Sequence, residues 1–277
     1  MSYKRILTIQ DMSCVGQCSL TVALPILSAC GLETAVLPSG LLSNHTAACF
    51  KGFTFLDLTD EFPSIAEQWR RNRIFFSGIL TGYLGNKKQI DSIKAITENL
   101  LINGPLIVDP AMADNGRLYS GFNDSYVSKM RELVSEADYT LPNITEACLL
   151  TGIQYKETYD RQYVQKLMDA LYALGAKNIV LTGVSFSEDT SGAAVYDGEN
   201  IRYYEHRRIG KGFHGTGDIF AAVFAGAILQ GNDALSAAAK AADFVVMCIE
   251  NTVGDTEHEY GVKFEPFLHL LYGSVTE

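Results

Sequence analysis

From Ile219 to Leu229 the chain reads Ile-Phe-Ala-Ala-Val-Phe-Ala-Gly-Ala-Ile-Leu, without one polar side chain. Wound as a helix, this run is apolar on nearly every face, so it must be buried on most sides. It is far short of the roughly 20 residues that cross a bilayer. It therefore needs a large core, and a chain of 277 residues can bury one. Four glycines lead into the run: Gly210, Gly212, Gly215 and Gly217. Without Cβ atoms, their backbone N–H groups can crowd towards one point. A helix start already carries free N–H groups and partial positive charge, so the stretch is a cradle for an anion. Asp218 follows in the first turn, placed to accept a proton from an alcohol. The same Gly-Thr-Gly-Asp also serves as a plain cap, with Thr216 or Asp218 satisfying backbone donors.

Other features bound the class. The apolar fraction of 47% and charged fraction of 19% are those of a soluble globular protein, and the economical organisation is one domain over residues 1–277. A formal net charge of −10 argues against nucleic acid as a partner, though a local pocket can still hold a small anion. The six cysteines form no CxxC and no zinc-finger spacing. The first apolar run, Ile6 to Ile9, is too short for a signal peptide, so a cytoplasmic protein is expected.

Taken in order, the chain alternates short apolar runs with helical spacing. Arg5–Gln10, a helix over Cys18–Cys30 and Thr34–Pro38 make a first β-α-β unit. Phe53–Thr59 alternates as an edge strand or flap. Helices are expected over Asp60–Arg71, Lys87–Asn103, Asp124–Ser135, Arg161–Leu174, Ala234–Glu250 and Phe264–Tyr272. Strands are expected over Arg73–Gly78, Pro105–Asp109, Tyr139–Leu141 and Asn178–Thr182. Asn143 and Glu146 form a capping box, Asp197-Gly198 marks a hairpin, and residues 110–122 read as an irregular, mobile loop. The sum is an α/β fold, a mainly parallel sheet with helices on both faces.

Several nucleotide and hydrolase motifs fail. No Walker A loop, dinucleotide fingerprint, nucleophile elbow or HExxH is present. What stands out is polar residues at strand ends, where open parallel sheets bind ligands: Asp11 and Ser13, Asn44-His45-Thr46, Tyr83, Asp109 and Asp114, Asn143 and Glu146, Thr182, and Asp218. Carboxylates without a basic complement invite Mg²⁺, a hard cation that wants oxygen. Bland roles are open for some of these. Asp109-Pro110 can be a strand terminator, Tyr83 packing, and His45 the donor to a loop carbonyl.

Gly215-Thr-Gly-Asp218 at the start of a buried helix resembles the signature of ribokinase-like kinases, a three-layer α/β/α fold. Ser43-Asn-His-Thr46, Thr81-Gly-Tyr83, Asp109-Pro110 and Leu141-Pro-Asn-Ile-Thr-Glu146 make the likeness one to the pyridoxal kinase branch. The resemblance implies ATP-dependent phosphorylation of the 5′-hydroxymethyl group of pyridoxal, pyridoxamine or pyridoxine, with Mg²⁺ and a monovalent cation such as K⁺. A hydroxymethylpyrimidine or sugar kinase of the same fold is the alternative, and a non-catalytic vitamer-binding protein a more distant one. It implies Asp218 as the base, and Gly215, Thr216 and Gly217 as the anion hole. Ser13, Thr46 and Tyr83 would surround the acceptor ring. Asp109 and Glu146 would organise the metal with Asn143. Asp114, Thr182, Lys211 and Phe213 would line the nucleotide. The flap around Phe53 to Leu58 makes a homodimer the expected assembly. Leu141, Gly183, Cys14 and His214 depart from the residues common in the branch; none of them touches the proposed base.

Overall fold

The computed structural model describes residues 3–210 and 212–272. In chain order its strands are β1 (Arg5–Ser13), β2 (Glu33–Leu42), β3 (Phe55–Asp57), β4 (Gly78–Thr81), β5 (Leu106–Val108), β6 (Ala113–Asp114), β7 (Arg117–Leu118), β8 (Tyr139–Thr140), β9 (Asn178–Val184), β10 (Thr190–Tyr196) and β11 (Ile201–Arg207). Its helices are α1 (Leu20–Ala29), α2 (Phe62–Arg71), α3 (Lys87–Leu100), α4 (Asp124–Glu136), α5 (Ile144–Thr151), α6 (Arg161–Ala173), α7 (Thr216–Leu229) and α8 (Ala234–Glu250).

Nine strands form one sheet in the order β11-β10-β9-β8-β5-β4-β1-β2-β3, with β6 and β7 apart as a small hairpin. The six from β9 to β2 pair in parallel. The hairpin β10–β11 extends one edge and β3 the other, all antiparallel. The period of two along each strand builds two cores. Leu7, Ile9, Ile79, Val108, Ile179 and Leu181 point to the layer that holds α2 to α6. Ile6, Leu80, Ile107 and Val180 point to the layer of α1, α7 and α8. The all-apolar run is α7, packed on the sheet with α1 and α8 beside it. That placement buries it on every side, as its composition demands.

The boundaries depart from expectation in places with a local cause. Arg73 takes a left-handed φ of 54° and closes the turn after α2, so β4 starts at Gly78 rather than Arg73. Leu101 is already extended and bridges Phe76, which stops α3 at Leu100 rather than Asn103. The helix expected over Phe264–Tyr272 is a 3₁₀ segment, Glu265–Leu270, with Pro266 in its first turn. Residues 110–122 are not an irregular loop: they contain the β6–β7 hairpin. Phe53–Thr59 supplies the edge strand β3.

β2 lies on one side of β1 and β4 on the other. The winding therefore reverses at β1, which opens a crevice beyond its carboxyl end. Asp11 and Ser13 lie there, and the loops after β2, β4, β5 and β8 converge on it.

Candidate active site

The start of α7 is shaped by what presses on it. Gly215, its N-cap, has φ 79°, and a Cβ there would lie 1.8 Å from the carbonyl oxygen of Gln17. Only glycine lets the glycine-rich loop sit flush against the exit loop of β1. Thr216 spends its hydroxyl on the Phe213 carbonyl at 3.0 Å, which tightens the turn. No side chain among the described residues caps α7, as none caps α1 or α2, whereas Asn86, Asn123, Asn143, Asp160 and Asp233 cap α3, α4, α5, α6 and α8. Gly217 is exposed, and a Cβ on it would meet no atom within 4 Å. The first-turn N–H groups of α7 therefore face open space that a side chain would partly fill. Free N–H groups and partial positive charge at a helix start of this kind suit an anion.

Asp218 sits half-buried in that turn. Burial pushes its pKa up to about 7, the charge of Asp11 adds to the rise, and the backbone N–H of Ser19 opposes it. Asp11 is itself buried, and burial raises its pKa against hydrogen bonds from Ser19 and Ser13. The Ser13 hydroxyl is 3.4 Å from Asp11 Oδ2, so this predicted ring contact is fully buried and turned towards a carboxylate. Ser19, between the two acids, takes φ 48° and ψ −128°, a conformation costly for a residue with a Cβ.

Across the crevice lie Asp109 and Glu146. Burial raises the pKa of Asp109 well above its ordinary value, and the charges of Glu146 and Asp218 add to it. Glu146 is 2% exposed, and burial pushes it up to about 7 against three backbone donors. Its Oε1 accepts from Met112 N at 2.9 Å and Ala113 N at 3.4 Å, and its Oε2 from Asn143 N at 2.9 Å. Asn143 returns the box through Glu146 N at 2.9 Å, and its amide donates to the Ala113 carbonyl at 2.9 Å. Gly116 N donates to Thr145 Oγ1 at 3.0 Å. The start of α5 thus holds the β6–β7 hairpin over the site. The hairpin is anchored by side chains the sequence had assigned to capping or ligand binding. Ala111, with φ 31°, is the strained corner between Asp109 and the hairpin.

The hairpin brings one residue the sequence reading missed. Burial raises the pKa of the Tyr119 phenol, and the charges of Glu146, Asp114, Asp109 and Asp218 add to it. The phenol therefore stays protonated near these carboxylates. An alternating apolar-polar hairpin of two-residue strands leaves too short a period to signal this from sequence.

Thr182 pairs beside Asn143 through an isolated bridge, and its N–H donates to the Pro142 carbonyl at 2.9 Å. Asp114 is exposed on β6. Phe213 packs partly buried against the α7–α8 layer. Lys211 lies outside the described residues. On the β2 side, Thr46 is exposed in its loop, and Tyr83 is half-buried with its ring 5.4 Å from that of Phe122. Asp218, Asp11, Asp109, Glu146 and Tyr119 are brought to one crevice, with Tyr83 beside Asp11.

Among the described residues, no group of three or more His, Cys, Asp and Glu is arranged as a metal cage. Mg²⁺ needs no such cage: it keeps several waters and takes one or two carboxylates beside substrate phosphates. Asp109, whose Oδ1 accepts only from Ala111 N at 3.1 Å, suits that part. Glu146, with both oxygens on backbone N–H groups, suits support of the site more than direct ligation.

The three layers are those of the ribokinase-like fold. A model of the phosphomethylpyrimidine kinase family matches residues 68–263. The chain belongs to that family. It is 35% identical to pyridoxal kinase from Lactobacillus plantarum, whose crystal structure it matches with a TM-score of 0.90 over 98% of this chain and 97% of that one. A Bacteroides thetaiotaomicron protein, assigned to the phosphomethylpyrimidine kinases and crystallised with pyridoxal, is 33% identical; the TM-score is 0.90 over 98% and 96% of the two chains. The hydroxymethylpyrimidine/phosphomethylpyrimidine kinase of Bacillus subtilis is 30% identical over 224 residues, 80% of this chain and 78% of that protein. Like the rest of the phosphomethylpyrimidine kinase family, this member is a phosphotransferase of the ribokinase-like fold. No helix among its described residues is long and apolar enough to cross a membrane.

Proposed function

We propose that this kinase transfers the terminal phosphoryl group of ATP to the hydroxymethyl group of a small heteroaromatic alcohol, a hydroxymethylpyrimidine or a B6 vitamer. The observation that carries the reading is the uncapped start of α7, where free backbone N–H groups and Asp218 face the crevice at the switch point of the sheet. The amides of Gly215 to Asp218 would hold the transferring phosphoryl, whose charge they match as it develops. An alcohol is not deprotonated in advance; Asp218 would take its proton as the P–O bond forms. A base poised near neutral pH suits that role. Asp109 would hold Mg²⁺, which when bound supplies neutralisation of the phosphate charge. Asn143, Thr182, Asp114 and Phe213 would line the nucleotide, and Ser13, Thr46, Tyr83 and Asp11 the acceptor.

Relatives of both kinds support an acceptor broader than the B6 vitamers alone. The family match and the Bacillus subtilis relative support the pyrimidine. The Lactobacillus plantarum enzyme and the Bacteroides thetaiotaomicron crystal with pyridoxal support the pyridine. The test is one ADP-release assay with pyridoxal, pyridoxamine, pyridoxine, 4-amino-5-hydroxymethyl-2-methylpyrimidine and ribose, with product mass confirming phosphorylation. Turnover of at least one hydroxymethyl heteroaromatic above ribose is expected. Preference for ribose would make the chain a sugar kinase, and no phosphorylated product at all would leave only a binding protein.

A further inference from the structure

His45 is 6% exposed and belongs to no helix or strand, yet it meets Val15, Gly16, Phe50, His214 and Tyr260. Its backbone N–H donates to the Val15 carbonyl at 3.0 Å. Its ring lies over Gly16, so closely that a Cβ on Gly16 would fall 2.3 Å from His45 Cδ2. Gly16 itself takes φ 136°, a conformation that favours glycine. His45 Nδ1 accepts from Ala47 N at 3.2 Å, which fixes the proton on Nε2; that N–H donates to the Tyr260 carbonyl at 2.6 Å. The ring meets Phe50 edge-on at 5.6 Å and His214 at 5.2 Å. His214 immediately precedes Gly215.

One side chain therefore joins four separate stretches: the exit loop of β1, the loop carrying Thr46, the segment around Tyr260 and the glycine-rich loop. The β1–β2 ladder ends at Ser13 and Leu42, and beyond it no strand pairing among the described residues ties these stretches together. We infer that His45 is a positioning residue: it locks the loop that receives the acceptor to the loop that cradles the phosphoryl group. The acceptor hydroxyl and the phosphorus then meet at a fixed distance. Misplacement by about 1 Å can cost a factor of about 10² in rate, so a tie across the two loops has catalytic weight without touching either substrate. The inference rests on the acceptor and donor sides assigned above.

Two substitutions divide the imidazole. In His45→Asn, a carbonyl oxygen can replace Nδ1 and keep the Ala47 bond, but nothing reaches Tyr260. In His45→Gln, an amide N–H can replace Nε2 and keep the Tyr260 bond. Steady-state kinetics should show kcat/KM for the acceptor falling about tenfold or more in His45→Asn, with KM for ATP within about twofold of wild type. His45→Gln should recover most of the loss. Gly16→Ala, which displaces the ring, should reproduce the Asn phenotype. Unchanged acceptor kinetics would overturn the inference. So would acceptor and ATP parameters that fall together in step with Tm, which marks a merely structural residue. Hydrogen exchange gives a readout independent of turnover. His45→Asn should raise exchange in residues 44–47, 213–216 and 258–261 together, and a change confined to 44–47 would also overturn the inference. If the wild type phosphorylates no heteroaromatic alcohol, the functional reading fails while the exchange experiment still decides the coupling.

Discussion

The position of Asp218 carries a pH dependence that can be worked out beforehand. An ordinary Asp titrates near 3.9, and burial with the nearby charge of Asp11 pushes this one up to about 7. The reaction needs the carboxylate, so activity falls as pH drops through that value. At pH 8 about ten in eleven molecules are ionised and at pH 6 about one in eleven, a tenfold difference. A profile of log kcat/KM from pH 5 to 9, at saturating Mg²⁺ and subsaturating acceptor, should show an acid limb of unit slope bending near pH 7. Asp218→Asn should lower kcat by about 10²-fold or more and abolish the limb, with nucleotide binding intact. Stability gives an independent sign. A carboxyl whose folded pKa is raised binds its proton more tightly when folded, so it costs stability as pH rises from about 4 through 7. Asp218→Asn should therefore raise Tm by about 2 °C or more at pH 8, and by less at pH 5. A limb near pH 4 would show that Asp218 is not the raised base. So would a limb near 7 that survives in Asp218→Asn, which would assign it to another group such as the nucleotide's terminal phosphate.

Other expectations follow from the same geometry. Gly217→Ala has open space around it, so Tm should hold within about 2 °C while kcat/KM for ATP falls about tenfold, read by calorimetry and kinetics. Gly215→Ala meets the Gln17 carbonyl and a positive φ, so it should cost about 2 kcal/mol or more in urea unfolding. Glu146→Ala removes the acceptor for Met112, Ala113 and Asn143 N–H groups; hydrogen exchange of residues 111–119 should rise well before that of the sheet. At the sheet edge, Phe53, Phe55 and Leu56 are 51%, 48% and 57% exposed, an apolar patch that supports the proposed homodimer. Light scattering should give about twice the monomer mass, and Leu56→Lys should halve it.

Much of the fold was legible because its signals are local and strong. The all-apolar run could only be a helix with neighbours on every side, and α7 is that helix. The β-α-β alternation, the capping box at Asn143 and Glu146 and the hairpin at Asp197-Gly198 are all present as read. Errors came where tertiary packing overrides a residue's own pattern. Arg73-Ile-Phe-Phe has the pattern of a strand, but Arg73 closes a turn there and β4 starts five residues further on, at Gly78. The β6–β7 hairpin was invisible because what orders it is Glu146, some thirty residues away. Tyr119 follows that hairpin, whose two-residue strands are too short to show a period. His45 was read as a donor to a loop carbonyl, and it is one. That the carbonyl belongs to Tyr260, at the other end of the chain, is a fact of topology that no local spacing records.

The most direct test is a crystal structure of the complex with Mg²⁺, a non-hydrolysable ATP analogue and the acceptor that the panel selects. An Asp218 carboxylate oxygen is expected within about 2.6–3.2 Å of the acceptor hydroxyl, with the terminal phosphate on the N–H groups of Gly215 to Asp218. An acceptor hydroxyl held by another residue, or a terminal phosphate bound away from the start of α7, would contradict it.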